Sequence, residues 1–309
     1  MTTDAASIQP QTATPRRQFT YRLSTFAGDI KIAHTIFALP FALLSTFLAA
    51  GGWPKLGQLA LILVCMVTAR TLAMAVNRLL DAKLDADNPR TARRAIPAGA
   101  LSRGFYWMIV TLCAAGFVAA TGGFRWAYHN PWPLRMSLPV LLLLSAYPLL
   151  KRFTRYCHYY LGACLAIAPL CAWVAIRGSI DPPPFWIFGA VLLWTAGFDI
   201  IYACQDYQID VAAGLFSVPA KVGIAKALWI SRITHVGCAA MLLGLGIFTP
   251  QLGAFYFVGA GIAIALLIGE QMLVRAEDLS KVNLAFFTLN GFISLIVGTL
   301  GIVDVLRHA

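Results

Sequence analysis

The chain has 309 residues, of which 59% are apolar and 12% are charged. Because about a quarter of the residues in a soluble domain are charged, this chain has too little charge to solvate the surface of one or two soluble domains. Its net charge of +11 would suggest nucleic acid in a soluble protein, but long apolar stretches recur from end to end. They indicate a helical protein that crosses a membrane many times, and we expect no nucleic-acid partner.

The start of the chain, residues 1–22, is rich in Thr, Ala, Gln and Pro and contains no long apolar run. This composition predicts a disordered tail on the cytoplasmic side. We expect no cleavable signal peptide, because the first apolar run is too long and its flanks do not fit one. Residues 23–309 are predicted to form a single transmembrane domain.

Nine apolar segments follow the tail, and each is about long enough to cross the ~30 Å hydrocarbon layer of a bilayer as an α-helix. The predicted fold is therefore an all-α bundle of about nine transmembrane helices. Basic residues concentrate in the segments that are cytoplasmic if the N-terminus is cytoplasmic, which fixes the orientation. The nine segments are 31–51, 56–80, 104–121, 133–150, 157–176, 185–204, 224–248, 252–273 and 283–306.

A first group of acidic residues follows the second apolar segment. Asn77, Asp81 and Asp85 are spaced four residues apart, so they lie about 40° apart on one stripe of a helix. Arg70 lies two turns deeper on nearly the same face. By the predicted orientation this stripe opens on the cytoplasmic side.

A second group of acidic residues ends the sixth apolar segment, on the same side of the membrane. Asp199, Tyr202, Asp206 and Asp210 share one face of that helix end. Carboxylates at membrane depth are costly and usually functional, although a single group of this kind is also compatible with ordinary surface acids at a helix end.

Carboxylates four residues apart repel one another, and two such ladders on one side of the membrane predict a bound cation. The ligands are all oxygen atoms, which favours Mg²⁺ or Ca²⁺. Mg²⁺ normally binds one or two carboxylates together with phosphate oxygens, and the neighbouring Arg90, Arg94 and Lys151 suit a phosphate. The two groups together predict a metal-bound pyrophosphate at the mouth of an apolar cavity.

A different class of function uses intramembrane Asp residues in a transporter or a proton relay. Such a protein would carry its acids near the middle of its spans and pair them across an inverted repeat. Here the acids cluster at helix ends on one side, so the transporter is the less favoured alternative.

The two motifs resemble those of the UbiA family of intramembrane aromatic prenyltransferases, and the resemblance extends over residues from about 30 to 305. The first is Asn77-x3-Asp81-x3-Asp85, and the second is Asp199-x2-Tyr202-x3-Asp206-x3-Asp210. Other matching positions are Arg70, Arg90, Thr91, Arg94, Pro97, Gly99, Tyr147, Lys151 and Arg152.

The resemblance implies a helix bundle around a central cavity, in a bacterial inner membrane, with the loops after the second and sixth spans as cytoplasmic caps. It implies transfer of a polyprenyl group from a prenyl diphosphate to an aromatic acid, with Mg²⁺ as cofactor and with membrane lipid as a further partner. The residues that it implies as metal ligands are Asp81, Asp85, Asp206 and Asp210, and those for the diphosphate are Asn77, Lys151, Arg94 and Arg90.

Four further residues are implied in catalysis. Asp199 would orient or deprotonate the acceptor, and Tyr202 would line its pocket or serve only in packing. Arg70 would bind either the diphosphate or the carboxylate of the acceptor, unless it pairs with an Asp of the ladder. Tyr147 would contact the diphosphate or stabilise cationic charge. Arg152 is interpreted as a flank that marks the cytoplasmic side, and His34 as a packing residue.

The chain departs from the family pattern at three places. Arg78 replaces the Asp that usually follows the Asn of the first motif, the run 214–220 lacks the common Lys, and the start of the first span, 31–40, lacks the common pattern. These features resemble the branch that prenylates 4-hydroxybenzoate, and in particular its members in menaquinone formation, whose acceptor is of the 1,4-dihydroxy-6-naphthoate type. The acceptors of ubiquinone and menaquinone biosynthesis both remain open.

Overall fold

The structure, a computed structural model, describes residues 15–30 and 37–309. Within these ranges every regular element is a helix, which confirms the all-α prediction. The elements are α1 Pro15–Asp29, α2 Leu39–Ala50, α3 Leu56–Asp87, α4 Arg103–Tyr128, α5 Trp132–Leu150, α6 Cys157–Arg177, α7 Pro183–Ala203, α8 Tyr207–Ala212, α9 Val218–Val222, α10 Ile224–Phe248, α11 Ala254–Leu273, α12 Val282–Leu284 and α13 Asn290–Arg307.

Eight helices in the described ranges are long and apolar enough to cross a bilayer, and they make this an integral membrane protein. The shorter apolar helix α2 corresponds to the first predicted span, 31–51. The beginning of that span, including His34, lies outside the described residues. A π-helical turn over Ala285–Leu289 joins α12 to α13, so the last predicted span is one continuous helical segment.

Helix α1 corrects the predicted disordered tail, 1–22, at residues 15–22 only, because the helix begins at Pro15. Phe26 and Ile30 are buried in an apolar cluster with Phe105 and Tyr106 of α4, and the rings of Phe26 and Tyr106 lie 5.1 Å apart, edge to face. This tertiary packing stabilises a helix that the polar composition of the segment does not favour. Residues 1–14 lie outside the described residues.

Helix α3 is long enough to carry its acidic end out of the hydrocarbon layer. Its 32 residues extend about 48 Å at 1.5 Å per residue, whereas the hydrocarbon layer is about 30 Å thick. The turns that hold Asn77, Asp81 and Asp85 therefore reach the interface.

Close helix packing brings the end of α7 to the same place. In α6, a Cβ atom at Gly162 would lie 2.3 Å from the carbonyl oxygen of Leu192, so only glycine allows this approach of α6 to α7. Helix α7 then ends in a 3₁₀ turn, Cys204–Asp206, that leads into α8. The predicted second motif lies along this bend.

Candidate active site

The two acidic motifs, which are more than 110 residues apart in the sequence, meet at one end of the bundle. The Asn88 Nδ2 atom donates a hydrogen bond to Asp206 Oδ1 at 3.1 Å. The Arg90 Nε atom lies 2.9 Å from the same oxygen. The loop after α3 thus contacts the turn at the end of α7 directly. Such a contact is expected for two motifs that are predicted to open on the same side of the membrane.

Asp81 is the most crowded carboxylate of the site and is only 2% exposed. Lys151 Nζ lies 2.7 Å from Asp81 Oδ2, and Asn77 Nδ2 lies 3.1 Å from the same atom. Arg152 Nη2 contacts Asp81 Oδ1 at 3.3 Å and donates to the carbonyl oxygen of Leu80. Arg152 is therefore part of this cluster, whereas the sequence suggested only a flank that marks the membrane side.

Two further arginines each hold one carboxylate. Arg94 Nη1 lies 2.7 and 2.8 Å from the two oxygens of Asp85. Burial lowers the pKa of Arg90, but its hydrogen bond to Asp206 and the nearby negative charge outweigh this effect and raise that pKa overall. Arg90 therefore keeps its positive charge at every working pH.

Tyr202 joins the ion pairs to an aromatic wall. Its hydroxyl accepts a hydrogen bond from Arg90 Nη1 at 2.9 Å, and the guanidinium lies 5.2 Å from the centre of its ring. The Tyr202 ring lies 4.2 Å from that of Phe286, which follows α12 in the π-helical turn. Tyr202 thus makes a polar contact at the site, and its role is not limited to packing, which was the alternative to lining the acceptor pocket.

Asp199 lies against a residue that the sequence analysis did not identify. His158 Nδ1 lies 2.7 Å from Asp199 Oδ2. The other ring nitrogen, Nε2, accepts a hydrogen bond from the backbone N–H of Val218 at 3.1 Å, so a ring proton is available on Nδ1 for Asp199. His158 therefore links Asp199 to the first turn of α9.

Asp210 lies one turn past the bend, and Ser217 lies against its carboxylate. The loop between them is fixed to α5, because the backbone N–H of Phe216 donates to the carbonyl oxygen of Lys151 at 2.7 Å. The run 214–220, which departs from the family pattern, is thereby placed beside the first motif.

A cavity of about 440 Å³ lies between α3, α4, α5 and α6. Its walls are mainly apolar, and Arg70 and Tyr147 line it together. Arg70 lies about 10 Å deeper than Asn77 along α3. The Arg70 Nε atom is buried and has no hydrogen-bond partner among the described residues. The alternative that Arg70 pairs with an Asp of the ladder is therefore not realised in the part of the chain that the structure describes.

Arg78, the departure within the first motif, has a partner in α1. Its Nε atom lies 3.1 Å from Asp29 Oδ2, and its Nη1 atom donates to Asn77 Oδ1 at 2.8 Å. Asp29 also accepts hydrogen bonds from the Tyr106 hydroxyl and from the backbone N–H of Ala95. The unusual Arg78 was a signal that an acidic partner exists, but nothing local in the sequence points to Asp29.

Each carboxylate of the two motifs lies beside a lysine, an arginine, a histidine or a hydroxyl group. Among the described residues, no three His, Cys, Asp or Glu side chains come together closely enough to hold an ion by themselves. The donors are nevertheless all oxygen atoms, which suits Mg²⁺. The cations beside Asp81, Asp85 and Asp206 suit a phosphate group. The donor set therefore fits a metal that is bound together with a phosphorylated ligand.

A family model described as "UbiA prenyltransferase family" matches residues 38–296. A similar protein, 4-hydroxybenzoate octaprenyltransferase of Pseudomonas aeruginosa, is 28% identical over 237 residues, which are 76% of this chain and 77% of that protein. The protein of the same name from Methylococcus capsulatus is 27% identical and covers 92% of this chain and 94% of its own length.

Two solved structures share the fold. The apo structure of a UbiA homologue from Aeropyrum pernix has a TM-score of 0.79 and 32% identity, and it covers 88% of this chain and 98% of that one. A UbiA homologue from Archaeoglobus fulgidus bound to DMAPP and Mg²⁺ has a TM-score of 0.68 and 18% identity, with 92% and 99% coverage. The second likeness concerns the fold alone.

Proposed function

The chain belongs to the UbiA prenyltransferase family, and we propose that it transfers a polyprenyl group from a prenyl diphosphate to an aromatic hydroxy acid with the help of Mg²⁺. One observation carries the proposal. Carboxylates and cations from two distant motifs meet beside a mainly apolar cavity. Its lining includes Arg70, whose buried Nε atom has no hydrogen-bond partner among the described residues. A polar clamp for a diphosphate and a dry cavity for its hydrocarbon tail are the two sites that this reaction needs.

We assign the diphosphate to the junction of the two motifs. Asp81, Asp85, Asp206 and Asp210 would hold Mg²⁺ together with the diphosphate, and Asn77 would assist them. When bound, the metal supplies neutralisation of the charge on the departing diphosphate. Lys151, Arg90 and Arg94 would then turn from carboxylate to phosphate oxygens, where they stabilise the negative charge of the leaving group. These cations now rest on carboxylates at 2.7–2.9 Å.

The apolar cavity protects the cationic intermediate from water. Loss of the diphosphate leaves an allylic carbocation. This cation alkylates an electron-rich ring, and the ring then loses the proton of the attacked carbon and becomes aromatic again. Water would trap the cation before it reached the ring. The mainly apolar walls between α3 and α6 exclude water from the prenyl group. Tyr147 lines the same cavity, and the face of an aromatic ring stabilises a nearby cation.

We assign the carboxylate of the acceptor to Arg70. The diphosphate cluster already contains several cations, whereas Arg70 lies deeper, on the wall of the cavity, with its Nε atom unpartnered within the described residues. A planar guanidinium matches a carboxylate in two parallel hydrogen bonds. Asp199, fixed in place by His158, orients or deprotonates the hydroxyl of the acceptor, and Tyr202 lines its pocket.

The acceptor is one of two types of aromatic acid. One is the 4-hydroxybenzoate type, which appears in the name of the similar proteins, and the other is the 1,4-dihydroxy-6-naphthoate type. Ubiquinone and menaquinone biosynthesis are the corresponding pathways. The location we propose is a bacterial inner membrane, with the N-terminus and the site on the cytoplasmic side. Basic residues around the site support this orientation.

The test uses purified protein in lipid nanodiscs with a series of prenyl diphosphates and each acid in separate reactions. We expect a prenylated ring, whose formation stops when EDTA removes Mg²⁺. The preferred acid identifies the pathway. Absence of product from both acids, with an intact folded protein and Mg²⁺ present, would contradict the proposal.

A further inference from the structure

A second groove lies on a different part of the bundle, between α10 and α11. Helix α10 packs mainly on α7, and α11 packs mainly on α13, so the two helices leave a groove of about 520 Å³ between them. Its apolar lining includes Val236, Ala239, Ile264 and Leu267. None of these residues belongs to the diphosphate clamp or to the cavity beside it.

Two arginines line one end of this groove. Arg232 lies about two turns into α10, and Arg275 follows the last turn of α11. A short connection joins α10 to α11, so the helices are antiparallel and the two arginines lie near the same end. Since α10 begins next to α9 beside the active site, this is the end of the bundle that carries the clamp.

Neither arginine is held in a close ion pair among the described residues. No ion pair within 4 Å forms at Arg232 or Arg275 among the described residues, whereas the arginines of the clamp lie on carboxylates. The Arg232 guanidinium lies 4.8 Å from the ring centre of Trp229, and this contact leaves its donors available. Arg232 therefore lacks a close counter-charge, and near Arg275 the exposed Asp278, three residues away, carries one without forming an ion pair among the described residues.

Gln271 adds an oriented polar group to the same groove. Its Nε2 atom lies 2.8 Å from Ser231 Oγ and 2.9 Å from His235 Nδ1. These two contacts occupy the amide nitrogen and fix the side chain against α10. Its carbonyl oxygen accepts no hydrogen bond from the described residues and is available for a hydroxyl group.

We propose that this groove binds an anionic glycerophospholipid. The phosphate lies between Arg232 and Arg275, a headgroup hydroxyl donates to Gln271, and one acyl chain lies along Val236, Ala239 and Ile264. Basic pockets between transmembrane helices on the cytoplasmic side attract anionic lipid headgroups. An apolar groove that continues directly from the cations distinguishes such a lipid from a free phosphate ion, which has no chain to bury.

The test is native mass spectrometry of the purified full-length protein in detergent, with added phosphatidylglycerol or phosphatidylcholine. We expect the wild type to retain phosphatidylglycerol in preference to phosphatidylcholine. The preference falls about fivefold for each arginine removed in Arg232→Gln and Arg275→Gln. The matched control is Arg135→Gln, because Arg135 also stacks on a tryptophan three residues earlier, at 5.3 Å, but lies on α5. This control keeps the wild-type preference.

A further variant covers the case in which the arginine variants do not fold. Ala239→Phe fills the groove and retains both arginines, and it reduces the phosphatidylglycerol adduct. Equal binding of the two lipids to the wild type, or an unchanged adduct in the folded variants, would overturn the proposal. Displacement of phosphatidylglycerol from the groove by a prenyl diphosphate would also overturn it, since the groove would then be a substrate site.

Discussion

Arg78 and Asp29 form a buried ion pair, with 3.1 Å between Arg78 Nε and Asp29 Oδ2 and with 4% and 6% of the side chains exposed. Asp29 ends α1, and its other oxygen accepts the backbone N–H of Ala95 in the loop after α3. One carboxylate therefore fixes α1, α3 and that loop to one another. The loop carries Arg90 and Arg94, so the pair also sets the position of the proposed diphosphate clamp.

Removal of Asp29 destabilises the protein. In Asp29→Ala the Arg78 guanidinium remains buried without its partner, and breaking a buried pair in this way costs about 3–5 kcal/mol. We expect a clearly lower Tm in a thermal unfolding experiment in detergent. The control is Arg177→Gln, since Arg177 pairs with Asp181 at 3.6 Å with 55% and 34% of the side chains exposed. An exposed pair contributes about 0–1 kcal/mol, and equal Tm values for the two variants would contradict this account.

Arg70→Gln separates the two substrates. Loss of a hydrogen bond to a charged group costs about 1.5–3 kcal/mol, so KM for the aromatic acid rises by about 10- to 150-fold. KM for the prenyl diphosphate stays within about twofold. Steady-state kinetics with each substrate varied in turn measures both values. The control is Arg155→Gln, because Arg155 stacks on Tyr156 away from the cavity. A rise in KM for the diphosphate instead would assign Arg70 to the diphosphate.

Lys151→Met weakens stabilisation of the leaving group. Lys151 Nζ is 2.7 Å from Asp81 and is placed to contact phosphate oxygens when the diphosphate binds. We expect kcat/KM for the prenyl diphosphate to fall by about 100-fold or more. We expect Tm to fall less than in Asp29→Ala, because the buried Asp81 carboxylate keeps its contacts with Asn77 and Arg152. Retention of full activity would remove Lys151 from the clamp.

His158 acts on the reaction through Asp199, and a double-mutant cycle tests this. His158→Phe and Asp199→Ala each remove the contact between Asp199 Oδ2 and His158 Nδ1, so their effects on kcat overlap. We expect kcat of the double variant to be no lower than kcat of the less active single variant. Side chains in direct contact are expected to be non-additive in this way. Additive losses would show that the two residues act independently.

The sequence predicts the helices and the meeting of the two motifs because both depend on short-range regularities. The spacing of Asp81 and Asp85 places them on one helix face, and the basic flanks place that face on the same side as Asp206. The pairing of each carboxylate with its cation depends on tertiary distances, so the contact of Arg152 with Asp81 was missed. The same is true of Asp29 and His158, whose partners Arg78 and Asp199 are 49 and 41 residues away.

The beginning of the chain shows the limit of composition as evidence. Residues 15–22 have the polar composition of a disordered segment, yet they belong to a helix that packs through Phe26 and Ile30. The two apolar side chains that decide the outcome lie beyond the polar segment, and their partners Phe105 and Tyr106 are on α4. Tertiary packing of this kind outweighs local composition.

The central claim is that the joined acidic motifs bind a prenyl diphosphate together with Mg²⁺. Calorimetric titration of the wild type with a non-reactive prenyl thiolodiphosphate, with and without Mg²⁺, measures this directly, with Asp81→Asn and Asp206→Asn as variants. We predict tight binding to the wild type only with Mg²⁺, and a loss of the Mg²⁺-dependent part of the affinity in both variants. Equal affinity with and without Mg²⁺, or unchanged Mg²⁺ dependence in both variants, would contradict the claim.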